Sequence, residues 1–521
     1  MKIRMRTPSR VRSLLGVLVA FLGCLSAPHV AVAQFDDSIP QEDTVPGQVL
    51  VRAANEEAVF QIVVKIRNVV NVDVNPVDYD QVGSNSSLWS IKIGLPLTTE
   101  EIADIRAILD DAEANDNDIG WIEPNLYVDV VGGQTGSLWV SGLGIDASGY
   151  REQFAIDALG IGTAQSRSSG RGVMVAILDT GIDPTHQAFG GRVSPYGQSL
   201  VPGFSTPWDA PSSNPTAGNA LVGHGTFLAG LVGLVAPDAS LLPVRVLDSE
   251  GVGTTAIAAA GIEYAVDAGA HVIVLAFGSP VQTLSLNTAI QYAIDNGAIV
   301  LAAAGNDGQL GCFYPGSNAD VFTLVASDHQ ENFDPISSWC TNVDAAAPGS
   351  MQLVGGVPDP DASIIGPYPS EGGDQYRASR GTSFAVGFAA GIAALVRGQH
   401  PEWPAEGFPE GDTIADRIAN RLTLGSVMVS VPAPVGERPR VDALASVVAG
   451  DFAPDPGDLD GDGCIDAADL GLLLADYQAK PGVGILHLSD VDGDHQVTSA
   501  DIGLLLANWR NCGFNGRSGR R

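Results

Sequence analysis

Three residues of different chemistry sit among small neighbours along this chain: Asp179 in VAILDTGID, His224 in GHGTFLAG and Ser383 in GTSFAVGFAAG. A carboxylate at the end of a buried strand accepts a hydrogen bond from an imidazole and holds its tautomer. His224 lies between two glycines at an expected helix start. Ser383 follows Gly381-Thr382 and precedes a run of Ala and Gly, so a helix beginning there aims backbone N–H groups at a developing oxyanion. Asn306 ends the apolar run LAAAGN and supplies a second oxyanion donor. These groups are the equipment for acyl transfer by an activated serine. A serine esterase of another fold is disfavoured, because no Gly-x-Ser-x-Gly elbow surrounds Ser383 and the acid precedes the nucleophile. A non-catalytic scaffold with the same fold is the rival from another class; a fluorophosphonate probe separates them, since it labels only an activated serine.

The elements that must position these groups are short apolar strands alternating with Ala-rich helices. Val173–Leu178, Leu241–Val246, His271–Leu275, Ala298–Ala303 and Val321–Ala326 read as buried strands. Thr255–Ala268, Leu286–Asn296 and Arg440–Val447 read as helices. Strands buried on both faces with helical crossovers predict a mostly parallel α/β sheet flanked by helices. Upstream, the strands VPGQVLVRA, Leu88–Ile93 and GWIEPNLYVDV alternate with helices around Val59–Val64 and Thr99–Asn115. That β-α-β-β-α-β order predicts a small α+β unit. Between the two regions, Gly132–Gly149 is rich in Gly and Ser and is expected to be exposed and cleavable. Met351–Ser379 is expected to be a surface hairpin or a lid.

The 521 residues are too many for one ordinary domain. With 45% hydrophobic and 17% charged residues, the chain favours a buried core over disorder. Its formal charge of −33 argues against nucleic acid and for divalent cations as partners, with a solvated acidic surface as the plain reading. MKIRMRTPSRVR carries five basic residues, Leu14–Leu25 is apolar, and Ala31-Val32-Ala33 follows. This reads as a secretory signal peptide; a lipoprotein signal through Cys24 has a poor context. Removing it leaves 22 basic against 60 acidic residues, or −38. No later segment reads as a membrane span. The remaining cysteines, Cys312, Cys340, Cys464 and Cys512, fall into two local pairs, and in an exported chain two disulfides are expected.

The C-terminal part holds an internal repeat. DLDGDGCIDAADLGLLLADYQ begins at Asp458 and DVDGDHQVTSADIGLLLANWR begins at Asp490. Calcium takes several oxygen ligands, which a twelve-residue acidic loop supplies. The first loop offers Asp458, Asp460, Asp462, the Cys464 backbone, Asp466 and Asp469. The second offers Asp490, Asp492, Asp494, the Gln496 backbone, Thr498 and Asp501. Gly463 occupies the sharp turn of the first; His495 stands there in the second.

The four catalytic segments resemble the subtilisin-like serine peptidases over roughly residues 154 to 448. The resemblance implies Asp179, His224 and Ser383 as the triad and Asn306 as the oxyanion-hole side chain. It implies that Ala276, Phe277 and Gly278 pair with an extended substrate, although the family's usual Ser-Leu-Gly-Gly reads Ala-Phe-Gly-Ser here. Phe313 falls where the family places the floor of the first specificity pocket, which implies small P1 side chains. Gly387 stands where the family usually has Pro, which implies a looser helix start. The N-terminal unit looks like an inhibitory propeptide, removed near residues 128 to 150. The paired loops, with Asp at position 12, resemble dockerin domains, which implies calcium and a cohesin-like or other surface partner; Ala467-Ala468 and Ser499-Ala500 depart from the usual docking residues. The expected organisation is a signal peptide (1–33), an inhibitory propeptide (34–131), a cleavable linker (132–153), a subtilisin-like peptidase domain (154–448), a linker (449–457) and a small all-α calcium-loop domain (458–512). A secreted or cell-envelope zymogen acting on proteins or peptides is the expected whole.

Overall fold

The computed structural model describes residues 43–448 apart from 71–76, 84–86, 95–98, 117, 131–138, 210–220, 370–374 and 405–412, together with helical residues at 470–471, 473–474 and 499–507. The N-terminal module runs β1 (Thr44–Ala53), α1 (Glu56–Val69), β2 (Val77–Gln81), β3 (Leu88–Ile93), α2 (Thr99–Asn115) and β4 (Ile119–Val130), the order the sequence predicts. Its strands pair antiparallel in the order β4-β1-β3-β2. Alternation along β1 divides its side chains between two cores. Val49 and Val51 join Ile62, Val63 and Ile66 of α1 in the module's own core. Leu50 faces the other way, into the larger core. Asn55 starts α1 by accepting a hydrogen bond from the Ala58 N–H, 3.0 Å.

The larger region opens with short helices α3 (Ala147–Glu152), α4 (Ala155–Ala158) and α5 (Ile161–Gln165). There follow β5 (Met174–Asp179), β6 (Gln198–Ser199), α6 (His224–Val235), β7 (Ser240–Arg245), β8 (Val252–Thr254), α7 (Thr255–Asp267), β9 (Val272–Leu275), β10 (Phe277–Gly278), α8 (Leu284–Asp295), β11 (Ile299–Ala303), β12 (Phe322–Ser327) and β13 (Val343–Pro348). Seven of these strands form a parallel sheet in the order β13-β12-β11-β9-β5-β7-β6. The expected strands are all present within a residue of their expected limits. Their apolar runs are buried because helices cover the sheet.

Next come β14 (Met351–Val354), β15 (Val357–Tyr368), β16 (Gln375–Ser379), α9 (Thr382–Gln399), α10 (Ile414–Leu422), β17 (Met428–Val431), β18 (Gly436–Pro439) and α11 (Ala443–Val448), with α12 at Ser499–Ala507. The expected hairpin at Met351–Ser379 is a three-stranded antiparallel sheet, β14-β15-β16. It is not confined to the surface: Ala362 to Tyr368 are buried. Gly366 lies so close to Phe227 of α6 that a Cβ would meet the ring at 2.6 Å. The last helix of this region starts at Ala443 rather than Arg440, because Arg440 is still bridged to Ala346 and Asp442 caps the helix by accepting from the Ala445 N–H at 2.8 Å.

Helices α6 and α9 are almost wholly buried. They cross closely because glycine faces aliphatic side chains: a Cβ on Gly391 would meet Val235 Cβ at 2.5 Å, and one on Gly387 would meet Leu231 Cβ at 3.1 Å. Gly387 therefore serves helix packing, and α9 runs without a break from Thr382. Cys312 and Cys340 form the expected disulfide. Cys464 and Cys512 lie outside the described residues.

Candidate active site

The parallel strands deliver the site at their carboxyl ends. Asp179 is the last residue of β5 and fully buried, and its Oδ1 accepts from the Thr180 N–H at 2.7 Å. His224 is the first residue of α6. Its Nδ1 lies 2.9 and 2.8 Å from the two Asp179 carboxylate oxygens. A carboxylate only accepts, so Nδ1 carries the proton and Nε2 is left as the basic nitrogen. The close approach explains the small neighbours: a Cβ on Gly225 would sit 2.2 Å from Gly181 O and 3.0 Å from Asp179 Cβ. Gly223 has φ 91°, and a Cβ there would strike the Tyr368 ring at 2.8 Å.

Ser383 is the second residue of α9 and is buried. The next residue, Phe384, sets its ring 5.7 Å from the His224 ring, which brings the two helix starts together. Asn306 follows the end of β11, in the loop 304–306. Its Oδ1 accepts from the Thr382 N–H (2.8 Å) and Oγ1 (3.0 Å), so its amide Nδ2 is the donor end. Thr382 Oγ1 also accepts from the Gly305 N–H at 3.2 Å, binding the loop to the start of α9.

Of the expected substrate strand, Ala276 is buried, and Phe277 and Gly278 form β10. Their antiparallel partners are Val130 and Asp129 of β4. A second edge, not anticipated from sequence, lies opposite: β8 pairs with β4 through Thr254↔Tyr127, Gly253↔Val128 and Val252↔Asp129. The end of β4 is thus an extended peptide held between two strand edges. The Val130 N–H also donates to Gly251 O at 3.0 Å. Val128 and Val130 lie over the glycines of this edge: a Cβ on Gly253 or Gly251 would meet their Cγ2 atoms at 3.3 and 3.1 Å. The Gly-Val-Gly run was the available sequence signal. Phe313 lies against Gly305, where a Cβ would meet its ring at 2.6 Å, and its N–H donates to Ala304 O at 3.1 Å.

The N-terminal module also caps two helices. Glu123 of β4 accepts at Oε2 from the Leu284 N–H (2.6 Å) and at Oε1 from the Ser285 N–H (2.9 Å), the free start of α8. Burial pushes its carboxyl up, against the opposing pull of these hydrogen bonds. Asn125 Oδ1 accepts from Thr255 Oγ1 and the Ala256 N–H at the start of α7, each 3.2 Å.

In the stretch Gly132–Gly149, expected to be exposed, Trp139 and Ile145 are buried, while Ser141, Leu143, Asp146 and Ser148 are exposed. Trp139 is 7% exposed. Its ring stands 6.3 Å from His224, 5.6 Å from Phe227, 5.5 Å from Tyr368 and 6.4 Å from Phe384. Val140 bridges Ala378 through both backbone hydrogen bonds. A lone tryptophan in a Gly/Ser run was the only hint in the sequence, and apolar area of that size drives burial.

The expected calcium ligands Asp458, Asp460, Asp462, Cys464, Asp466, Asp469, Asp490, Asp492, Asp494, Gln496 and Thr498 lie outside the described residues. Asp501 lies in α12, and nothing of its side chain is described. Among the described residues, no helix is long and apolar enough to cross a membrane, and no cluster of three or more His, Cys, Asp or Glu is placed to hold a metal.

Residues 170–421 match the Subtilase family model. The chain is 36% identical to thermitase from Thermoactinomyces vulgaris over 242 residues, 44% of this chain and 77% of that protein. It is 35% identical to subtilisin Savinase from Lederbergia lenta over 244 residues, 45% of this chain and 80% of the relative. A thermophilic serine proteinase from Bacillus sp. (strain AK1) matches at 27% over 385 residues, 71% of this chain and 86% of that one. In fold, the chain is similar to fervidolysin from Fervidobacterium pennivorans, with a TM-score of 0.60 and 19% identity over 80% of this chain and 63% of that one. With its Asp, His and Ser segments in this order on a parallel α/β sheet, the chain belongs to the subtilase family of serine endopeptidases.

Proposed function

We propose that this peptidase is made as an exported zymogen, with Asp179, His224 and Ser383 as its triad and β4 as an inhibitory strand in its own substrate cleft. The observation that carries this reading is the pairing of residues 127–130 with β8 on one side and β10 on the other. A peptide held by backbone hydrogen bonds on both edges is the geometry in which an extended substrate binds. The module 34–131 then acts as propeptide, and removal within or near 132–153 opens the cleft.

In catalysis, Ser383 Oγ attacks the peptide carbonyl carbon while His224 Nε2 takes the hydroxyl proton. Asp179 holds the imidazole and stabilises its positive charge. Asn306 Nδ2 and the Ser383 N–H donate to the oxyanion. Collapse breaks the C–N bond, and His224 delivers its proton to the leaving amine. Water then attacks the acyl-enzyme through the same base, releasing the new carboxyl group and restoring Ser383. Phe313, packed on Gly305, narrows the first specificity pocket and favours small P1 side chains.

The tail binds calcium through the two acidic loops. The donor set is all oxygen, which fits calcium. Residues 470–471 and 473–474 are helical and α12 spans Ser499–Ala507, in keeping with an apolar helix following each loop pattern. Calcium supplies rigidity to loops whose like charges otherwise repel, and so shapes a docking surface for a cohesin-like or other surface protein. Wild-type and Ser383→Ala proteins test the reading by intact mass and casein hydrolysis, with and without chelator. Loss of about 10–13 kDa from the N-terminus and hydrolysis by the wild type alone are expected, since 53.8 kDa over 521 residues averages about 103 Da per residue. Two inert, full-length proteins after calcium addition sink it.

A further inference from the structure

We propose that Asp209 is a positioning residue of this peptidase: from outside helix α6 it caps the turn that carries His224 and places a second buried carboxylate behind the Asp179–His224 pair. The inference rests on the peptidase reading of the site. Helix α6 needs an external cap because its own N-cap is Gly223, which has no side chain to offer. Two residues from elsewhere do the work. Thr180, next to Asp179, accepts at Oγ1 from the Gly225 N–H at 3.2 Å. Asp209 accepts at Oδ2 from the Thr226 N–H at 3.2 Å and from Thr226 Oγ1 at 2.6 Å. Thr226 Oγ1 in turn accepts from the Asp183 N–H at 2.9 Å. The segment bearing Asp209 is itself tied to the loop after Asp179: the Asp209 N–H donates to Ile182 O (3.2 Å), and the Ile182 N–H donates to Pro207 O (3.1 Å). One clamp therefore fixes the end of β5 and the start of α6 against each other.

The clamp is electrostatic as well as geometric. Asp209 is 3% exposed, so its charge acts through protein rather than water. The charged and titratable groups facing it are Asp179 at the end of β5, Arg245 at the end of β7 and Tyr368 at the end of β15, and Asp179 in turn holds His224. Arg245 is held by donation from Nη1 to Trp208 O (2.9 Å) and lies over the Phe204 ring at 3.9 Å. Burial raises the Asp209 carboxyl to about 6, with Thr226 and Arg245 pulling the other way. Ionised, it sits at the positive end of α6 and favours the imidazolium that forms on His224 during turnover. A dead-weight cap would contribute to melting temperature alone.

The test uses the full-length chain after removal of the N-terminal module, Ser383→Ala proteins being processed in trans by wild-type enzyme, with active sites counted by fluorophosphonate labelling. Asp209→Asn, Thr226→Val and Thr226→Ser are compared with wild type in kcat/KM against pH. Their low-field proton resonance from the His224 Nδ1–H is recorded on a Ser383→Ala background. Asp209→Asn is expected to lose about tenfold in kcat per labelled site. Its acid limb should move down by about half a pH unit, because the charge favouring the protonated imidazole is gone. Thr226→Val should lose kcat to a similar extent, and Thr226→Ser, which keeps the hydroxyl, should restore it. Folded Asp209→Asn with wild-type kcat, acid limb and Nδ1–H resonance overturns the proposal. If Asp209→Asn does not fold, Thr226→Val with unchanged kcat and acid limb overturns it equally. Wild type that takes up no fluorophosphonate refutes the peptidase reading and this inference with it, whereas labelled wild type beside an unaltered Asp209→Asn refutes this inference alone.

Discussion

Truncating Glu123 to alanine should loosen the proposed propeptide far more than its single side chain suggests. Its carboxylate closes two bonds to the first N–H groups of α8, at 2.6 and 2.9 Å, in a buried position. Hydrogen bonds to a charged group contribute about 1.5 kcal/mol each at the low end. Leaving the two N–H groups without an acceptor costs about 1–3 kcal/mol, and burial, which pushes the carboxyl up, offsets part of the bonds' contribution. A net loss of about 2 kcal/mol corresponds to roughly a 30-fold rise in inhibition constant. The assay adds residues 43–130, which carry their own apolar core, to processed enzyme and follows hydrolysis of a fluorogenic peptide. Tyr127→Ala is the control: Tyr127 is exposed and pairs with Thr254 through backbone only, so it should shift the constant less than about threefold, the usual scale of a surface change. The sign of the pH dependence gives a second reading. A carboxyl raised on binding contributes affinity that is fully present below its ordinary value of 4.5 and is lost as pH rises through the bound value. Wild-type inhibition should weaken over that window and Glu123→Ala should not. An inhibition constant for Glu123→Ala within threefold of wild type, or equal slopes with pH, would refute the capping argument.

Other expectations follow from single contacts. Gly225→Ala should reduce kcat/KM by about 100-fold or more at unchanged secondary structure, because the new Cβ would lie 2.2 Å from Gly181 O and push His224 from Asp179; circular dichroism with kinetics checks it. Asp344, whose carboxyl burial raises to about 6 while it accepts from the Thr323 N–H at 2.7 Å, contributes stability below its unfolded value of 3.8 that is lost as pH rises through about 6. Asp344→Asn should therefore be more stable than wild type by about 1–2 kcal/mol at pH 8 and no more stable near pH 4, measured by denaturant melts. Removing the Cys312–Cys340 bridge by a double Ser substitution should cost about 3 kcal/mol and raise KM, since Gly311 donates to Trp339 O and Phe313 to Ala304 O on either side of it. Wild-type KM in that variant would separate the bridge from the specificity pocket.

Much of the fold was legible because burial leaves a mark in residue type. The strands β5, β7, β9, β11 and β12 are short β-branched or alanine runs, and fully covered parallel strands have no other composition to adopt. The module β1 to β4 was legible from its alternation and helix spacing. The Asp179–His224 pair was legible because the close approach of β5 and α6 demands glycine at 181, 223 and 225. What escaped was made by backbone or by distant partners. Pairing of β4 with β8 joins Tyr127 to Thr254 through main-chain groups, which every residue carries. Asp209 caps a helix it does not precede, so no capping box announces it. Trp139 interrupts a Gly/Ser run whose average composition argues for exposure, and one ring overrides that average. The Met351–Ser379 segment is largely exposed over residues 351–361; from Ala362 to Tyr368 both faces are covered, one of them by α6.

Trp139 makes the two halves of the expected linker unequal as places to cut. Between Val130 at the end of β4 and Trp139 lie residues 131–138, a leash whose nine Cα–Cα steps reach at most ~32 Å. A break in that leash leaves the ring in its slot between His224, Phe227, Tyr368 and Phe384, and the new amino terminus stays moored beside the base. A break four residues beyond the indole, at Leu143, falls on a residue that is 93% exposed. It would leave Trp139 on the departing fragment, joined to the body of the enzyme by nothing covalent. The same two products, module and peptidase, would then differ in whether the wall of the active site travels with the wrong piece.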